Sequence, residues 1–213
     1  MKKSLKSKKQ NSRYYSPEWE KQKCTWLSWP HNTQEWGKSG LEGIRGFYID
    51  LISKILDFQD VNLIFNDEKL LSQFNDKYDL KPRFRLKKII IANNDIWIRD
   101  YGPFFMKETC HGKSLQLLLD FEFNSYGGKF PPWDKDNKMP KEIANYYQCE
   151  IESYPLIMEG GSLEFNGDGV IMTTEQCLLN KNRNPKLKKK EIESYLKSAF
   201  NTNEIIWLKR GLE

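Results

Sequence analysis

Histidine is nearly missing from this chain, whose 213 residues hold two, His31 and His111. Cysteine is also sparse: Cys24, Cys110, Cys149 and Cys177 lie far apart, with no CxxC pair and no zinc-ligand spacing. That excludes a disulfide framework, and no metal or other cofactor is expected; the thiols read as free in a reducing cytoplasm. No run approaches the roughly 18 apolar residues that span a bilayer. The basic N-terminus is followed by "YYSPEWEKQK" rather than by the apolar stretch of a secretory signal. The expected location is therefore cytoplasmic, with no membrane partner. Arginine is absent between Arg99 and Arg183.

Excess charge is missing too, once the chain is divided. Of 34 basic residues six lie within residues 1–13, which leaves 28 against 29 acidic residues for the rest. Residues 1–16 read as a basic flexible tail and residues 17–213 as one domain. A near-neutral body argues against a nucleic-acid partner, because the electrostatic footprint is confined to a short solvated arm. What the chain does have is aromatic side chains, seven Trp and twelve Phe in a polar sequence. They point to packed structure rather than disorder.

Hydrophobic patterning alternates strands with helices. "TWLSWP" (25–30) is a short strand closed by Pro30. The next segment sets Ile44, Phe47, Tyr48, Leu51, Ile52, Ile55 and Leu56 at helical spacing. "VNLIF" (61–65) reads as a buried strand and "DEKLLSQFNDKY" as a helix. "FRLKKIIIA" reads as a strand running on into "NNDIWIRDYGPFF", and "SLQLLLDFEF" as another. "SLEF-NGDG-VIMTT" is a hairpin signal. Asn184-Pro185 predicts a helix start for "KLKKKEIESYLKSAF", and "EIIWL" is a last strand. The class is α/β, with no internal repeat visible.

Three constellations carry candidate chemistry. If "NNDIWIRD" is strand, Asp95, Trp97 and Arg99 share one face and Asp100 the other; the structural alternative is a local Arg–Asp ion pair beside a core tryptophan. In "MEGGSLEF", Glu159 precedes two glycines that allow a sharp turn or a close approach; the alternative is a turn carboxylate. "FNSYGGKFPPWDKDN" (123–137) is either a lid over a pocket or a cap on a core. "CLLNKNRNP" (177–185) reads as a structural asparagine network. Two carboxylates beside an indole suit a planar guanidinium, by paired charge-assisted hydrogen bonds and by cation–π attraction.

In order along the chain, "TWLSWPHN", "NNDIWIRDYGPFF", "FNSYGGKFPPWDKDN", "EGGSLEFNGDG", "TTEQCLLNKNRNP" and "IIWLKRG" resemble the agmatine deiminase family. That family includes the bacterial-type peptidyl-arginine deiminases of the guanidine-modifying superfamily, and the likeness covers residues 17–211. It implies a pentein-type α/β-propeller of five ββαβ-type modules, of which about three are present here. It also implies hydrolysis of a guanidinium to a ureido group and ammonia, as in agmatine to N-carbamoylputrescine. In the family a Cys thiolate attacks the guanidinium carbon, and a His protonates the leaving ammonia and then activates water.

Carried onto this sequence, Asp100 matches the carboxylate that holds the guanidinium nitrogens. Glu159 matches the one that orients the His and contacts substrate, and Trp97 matches the aromatic wall. Arg99 is expected to be a structural ion-pair partner. Tyr126 stands where many relatives have Trp, which puts a lid role for its loop in doubt. The family's "GHxD" segment would follow "WLKRG", and its nucleophilic Cys lies further on; neither His31 nor His111, nor any of the four cysteines, matches those roles. This chain is therefore expected to be inactive alone, and to self-associate or need a C-terminal half on another chain. The arginine-free centre favours agmatine over a peptidyl or free arginine, whose carboxylate or backbone needs a clamp. A non-catalytic guanidine-binding protein is the rival class.

Overall fold

Strand β1 (Ser12–Tyr15) pairs antiparallel with residues 106–109, and Arg13 forks onto Glu152 through bonds of 3.1 and 2.9 Å. The computed structural model describes residues 12–80, 83–110 and 113–211; the remainder of the basic arm and His111 lie outside these. Residues 12–16 thus belong to the domain, which moves the sequence-based boundary at 16/17 toward the N-terminus. Pairing and a bidentate ion pair supply what composition could not show.

Next come β2 (Cys24–Ser28), α1 (Thr33–Ile55), β3 (Asp60–Phe65), α2 (Glu68–Lys77) and β4 (Leu86–Ile90), giving a parallel sheet of order β2-β3-β4. Asn32 caps α1 by accepting from the amides of Gln34 and Glu35, and Asp67 caps α2 through Leu70 N. Alternation along β3 feeds two cores. Val61, Leu63 and Phe65 pack under Ile52, Leu56 and Phe74, while Ile64 meets Leu118, Met139 and Ile143 on the other face. Each such fully buried side chain contributes about 1.5–3 kcal/mol. Phe47, read as part of the apolar face of α1, is exposed.

A short helix, α3 (Ile98–Tyr101), then β5 (Phe104–Cys110), β6 (Lys113–Glu122), the turn α4 (Ser125–Gly128), α5 (Met139–Tyr147) and β7 (Glu150–Ile157) complete a sheet of order β1-β5-β6-β7. The third sheet uses β8 (Glu164–Phe165), β9 (Val170–Thr174), α6 (Glu175–Leu178), α7 (Lys189–Phe200) and β10 (Glu204–Leu208), in the order β10-β9-β8. The second and third units repeat one topology: an antiparallel pair, a helix, then a strand parallel to the second of the pair. No sequence repeat announced this, because each core needs only apolar residues in alternation.

Two expectations are corrected. Residues 98–101 are helical, so Asp95, Trp97 and Arg99 do not share a strand face. The segment between Ile91 and Gly102 takes local hydrogen bonds, such as Gly102 N to Ile98 O at 2.9 Å, in place of a ladder. Helix α7 begins at Lys189 rather than after Asn184. The Asn184 side chain instead accepts from Ile157 N and donates to Ile157 O, tying its loop to β7. The hairpin β8–β9 forms as the turn residues predict. No helix among the described residues is long and apolar enough to cross a membrane.

Candidate functional site

Strand β4 ends in a loop that is pinned from beneath. Tyr101 is buried, donates to Asp95 O at 2.6 Å and meets Ser28 Oγ at 2.8 Å. Burial holds its phenol well above the ordinary value. With Tyr101 anchored, Asp100 is fixed by its neighbours. Its Oδ1 accepts from Gly161 N at 3.0 Å and its Oδ2 from the Tyr126 hydroxyl at 2.6 Å. The glycines of "EGG" are a matter of space. A Cβ on Gly160 would overlap the Arg99 carbonyl oxygen, and one on Gly161 would lie 2.5 Å from Asp100 Oδ1.

Tyr126 sits in a left-handed turn with Ser125 at φ 50°, Tyr126 at φ 60° and Gly127 at φ 87°. Two non-glycine residues in that region cost about 1 kcal/mol or more each. The Asn124 side chain, accepting from Gly127 N at 2.9 Å, and the bond to Asp100 hold the turn. Burial first, then the Asp100 carboxylate, keep the Tyr126 phenol protonated. The hydroxyl therefore acts as a donor to Asp100.

Glu159 is 4% exposed and meets two partners. Arg183 Nε donates to its Oε1 at 2.7 Å, and Cys177 Sγ lies 3.4 Å from its Oε2. Arg183 Nη1 also donates to Asn182 Oδ1 at 2.7 Å. Burial, and then the Glu159 charge, push the Cys177 thiol up to about 12. It is a poor source of thiolate at neutral pH. Arg99 pairs with Glu18 at 2.5 Å, the structural role expected of it. His31 is turned to the carbonyl of Trp29, 3.3 Å from Nδ1, and burial lowers its pKa. Among the described residues no hydrogen bond joins it to Asp100 or Glu159.

These segments enclose a cavity of about 530 Å³. Trp97, Phe123, Tyr126 and Phe130 give it aromatic walls; Glu35, Asp95, Asp100 and Asp136 give it carboxylates. Trp97 is 46% exposed and lies in a tilted pair with Trp36 at 6.5 Å. Arg183 and the exposed Lys129 also line the cavity. Of the residues singled out from sequence, Asp95, Trp97, Asp100 and Tyr126 meet in the cavity. Glu159 does not line it but lies directly behind Arg183.

Nothing in the sequence by itself marks Asp136, and Arg183 reads there as part of an asparagine network. The available signals were a lone arginine among asparagines and an aspartate inside a Pro- and aromatic-rich loop. Burial first, opposed by two backbone bonds and reinforced by Asp95 and Asp134, pushes Asp136 up to about 7.

A sequence profile of the Porphyromonas-type peptidyl-arginine deiminases matches residues 14–213. The chain belongs to that family. An agmatine deiminase of Campylobacter jejuni, solved with substrate bound, superposes with a TM-score of 0.82 at 34% identity, covering 96% of this chain and 58% of that one. The agmatine deiminase of Enterococcus faecalis gives 0.81 at 28% identity, covering 93% and 53%. A relative in Mycoplasma mycoides that carries the provisional name agmatine deiminase is 31% identical over 220 residues, covering 100% of this chain and 57% of its own length. The chain therefore spans a little over half the length of the family members it matches. The fold is the α/β pentein-type fold of these deiminases, over the part that the chain covers.

Proposed function

We propose that this chain supplies the guanidinium-gripping part of an agmatine deiminase, a hydrolase that converts agmatine to N-carbamoylputrescine and ammonia. The observation that carries the reading is the fixed Asp100 carboxylate beside Trp97 in a cavity whose arginine is already spent on Glu159. A carboxylate held by two donors keeps lone pairs for a guanidinium, and the indole adds cation–π attraction of about 0.5–2 kcal/mol. Glu159 is proposed as the second carboxylate of the reaction. Its Oε1 is paired with Arg183 Nε at 2.7 Å.

A substrate ending in an amine fits four lining carboxylates better than one ending in a carboxylate. The counter-reading, a peptidyl- or free-arginine deiminase, draws on Arg183 and Lys129, which line the same cavity. Breaking the Arg183–Glu159 pair to bind a carboxylate would leave Glu159 buried and unpaired, which costs several kcal/mol. By itself the chain is proposed to bind guanidines weakly and not to turn them over. Its thiol beside Glu159 is held protonated, and His31 is engaged elsewhere.

The test is release of ureido product and ammonia from agmatine, from free arginine and from a C-terminal-arginine peptide. The chain is assayed alone and with a separately made C-terminal half of a relative. Turnover of agmatine by the pair, abolished by Asp100→Ala, is expected. Preference for the peptide would overturn the substrate; agmatine binding without turnover in either case would favour a non-catalytic guanidine-binding protein.

A further inference from the structure

Asp136 is the buried carboxylate to which this reading gives no role of its own beyond lining the cavity. It is 3% exposed, yet it lines the cavity together with Glu35, Asp95 and Asp100. Its Oδ1 accepts from Asn94 N at 2.7 Å and from Asp95 N at 3.4 Å. Asn94 reciprocates, its own Oδ1 accepting from Lys135 N at 2.8 Å and Asp136 N at 3.1 Å. The two loops are clasped, so the Asp136 carboxyl is not free to turn toward another partner. Its Oδ2 takes no hydrogen bond from a described residue, and no ion pair among the described residues reaches it.

A carboxylate this buried keeps its charge beside a cation or beside enough hydrogen-bond donors; here the donors reach Oδ1 alone, and burial with two neighbouring acids favours the proton. The groups that face it are Asp134 on its own segment, Asp95 on the opposite loop and the Tyr101 phenol from α3. All of these are acids. Lys129 and Lys135 are exposed, and neither forms an ion pair with it. Burial and the two aspartates thus leave Asp136 holding a proton over much of the neutral range. The oxygen without a hydrogen bond belongs to a residue that lines the cavity, so a cation bound there lies beside it.

We infer that Asp136 is a proton-exchanging cation site: an alkylammonium or guanidinium group entering the cavity displaces the proton that Asp136 holds. The proton passes to solvent and the carboxylate that remains pairs with the cation, so charge balances. The inference rests on the proposed reading in taking the ligand to be cationic; it does not require that the ligand be hydrolysed. Affinity for such a ligand rises about tenfold from pH 6 to pH 8, the linkage expected for one proton with a midpoint near 7. Above that range it levels off.

The experiment is a side-chain carboxyl NMR titration of Asp136 in the full chain, free and with agmatine, putrescine or methylguanidine. Calorimetry in buffers of different ionisation heat counts the protons released. A midpoint near 7 that falls by about one pH unit or more with a cation, and proton release that Asp136→Asn abolishes, are expected. A free-chain midpoint in the ordinary carboxylate range overturns the inference, as does a midpoint that none of the three cations moves. Proton release without deimination, in the presence of the C-terminal half, would sink the deiminase reading and leave this one standing. Turnover with an unmoved Asp136 would do the reverse. The NMR arm uses the unaltered chain and holds even if the variant fails to fold.

Discussion

Tyr126 donates its hydroxyl hydrogen to Asp100 Oδ2 across 2.6 Å, joining a left-handed turn to the carboxylate that follows Arg99 on α3. Hydrogen bonds to charged groups contribute about 1.5–3 kcal/mol when shielded, less where water reaches them. Tyr126→Phe should therefore lower stability by about 1–2 kcal/mol, read as a shift of the urea midpoint. The turn keeps its strain and loses one of its ties. A midpoint equal to the parent's would show that this bond does not hold the turn.

The two glycines after Glu159 should fail differently. Gly161→Ala places a methyl 2.5 Å from Asp100 Oδ1, so the side chain must give way. Agmatine binding should be lost with modest destabilisation. Gly160→Ala meets the Arg99 backbone, which cannot swing aside, and should cost more in stability than Gly161→Ala. Comparing the two urea midpoints with the two agmatine affinities checks both statements.

Arg183 and Glu159 form an ion pair with side chains 10% and 5% exposed. Arg183→Ala leaves a buried carboxylate unpaired and should cost about 3–5 kcal/mol. Adding Glu159→Gln removes the stranded charge and should recover part of that loss. A double-mutant cycle by urea unfolding measures the coupling; strictly additive losses would mean the pair contributes nothing beyond its separate side chains.

Asp136 makes stability depend on pH in an unusual direction for a carboxylate. Its folded pKa of about 7 lies above the ordinary value, so the contribution is fully present below the unfolded pKa and is lost as pH rises toward 7. Asp136→Asn, which mimics the protonated form, should gain stability relative to the parent between pH 5 and pH 8. Urea midpoints at several pH values give the difference, and a constant gap across that range would refute the titration.

Cys177, pushed up to about 12 by burial and Glu159, should alkylate slowly with iodoacetamide at pH 8. Glu159→Gln removes the second of those causes and should speed the reaction. Peptide mapping of the modified chain follows the rate at Cys177. Fast labelling of the unaltered chain would mean that the thiol is ionised after all.

Periodicity was enough for the elements whose cores are local. "VNLIF", the α1 stripe around Ile52 and the "NGDG" hairpin all form where apolar alternation and turn chemistry put them. Motifs in family order were enough for the class, and they singled out Trp97 and Asp100, which line one cavity. Tertiary structure decided the rest. It made residues 98–101 helical because Tyr101 is buried against Asp95 O, six residues away, and against Ser28, a contact across 73 positions that no window of sequence contains. It drew Arg183 onto Glu159 and Asp136 onto Asn94, since a buried charge takes whichever partner the fold delivers. Local sequence sets which groups need a partner; the packing of distant segments sets which partner they meet.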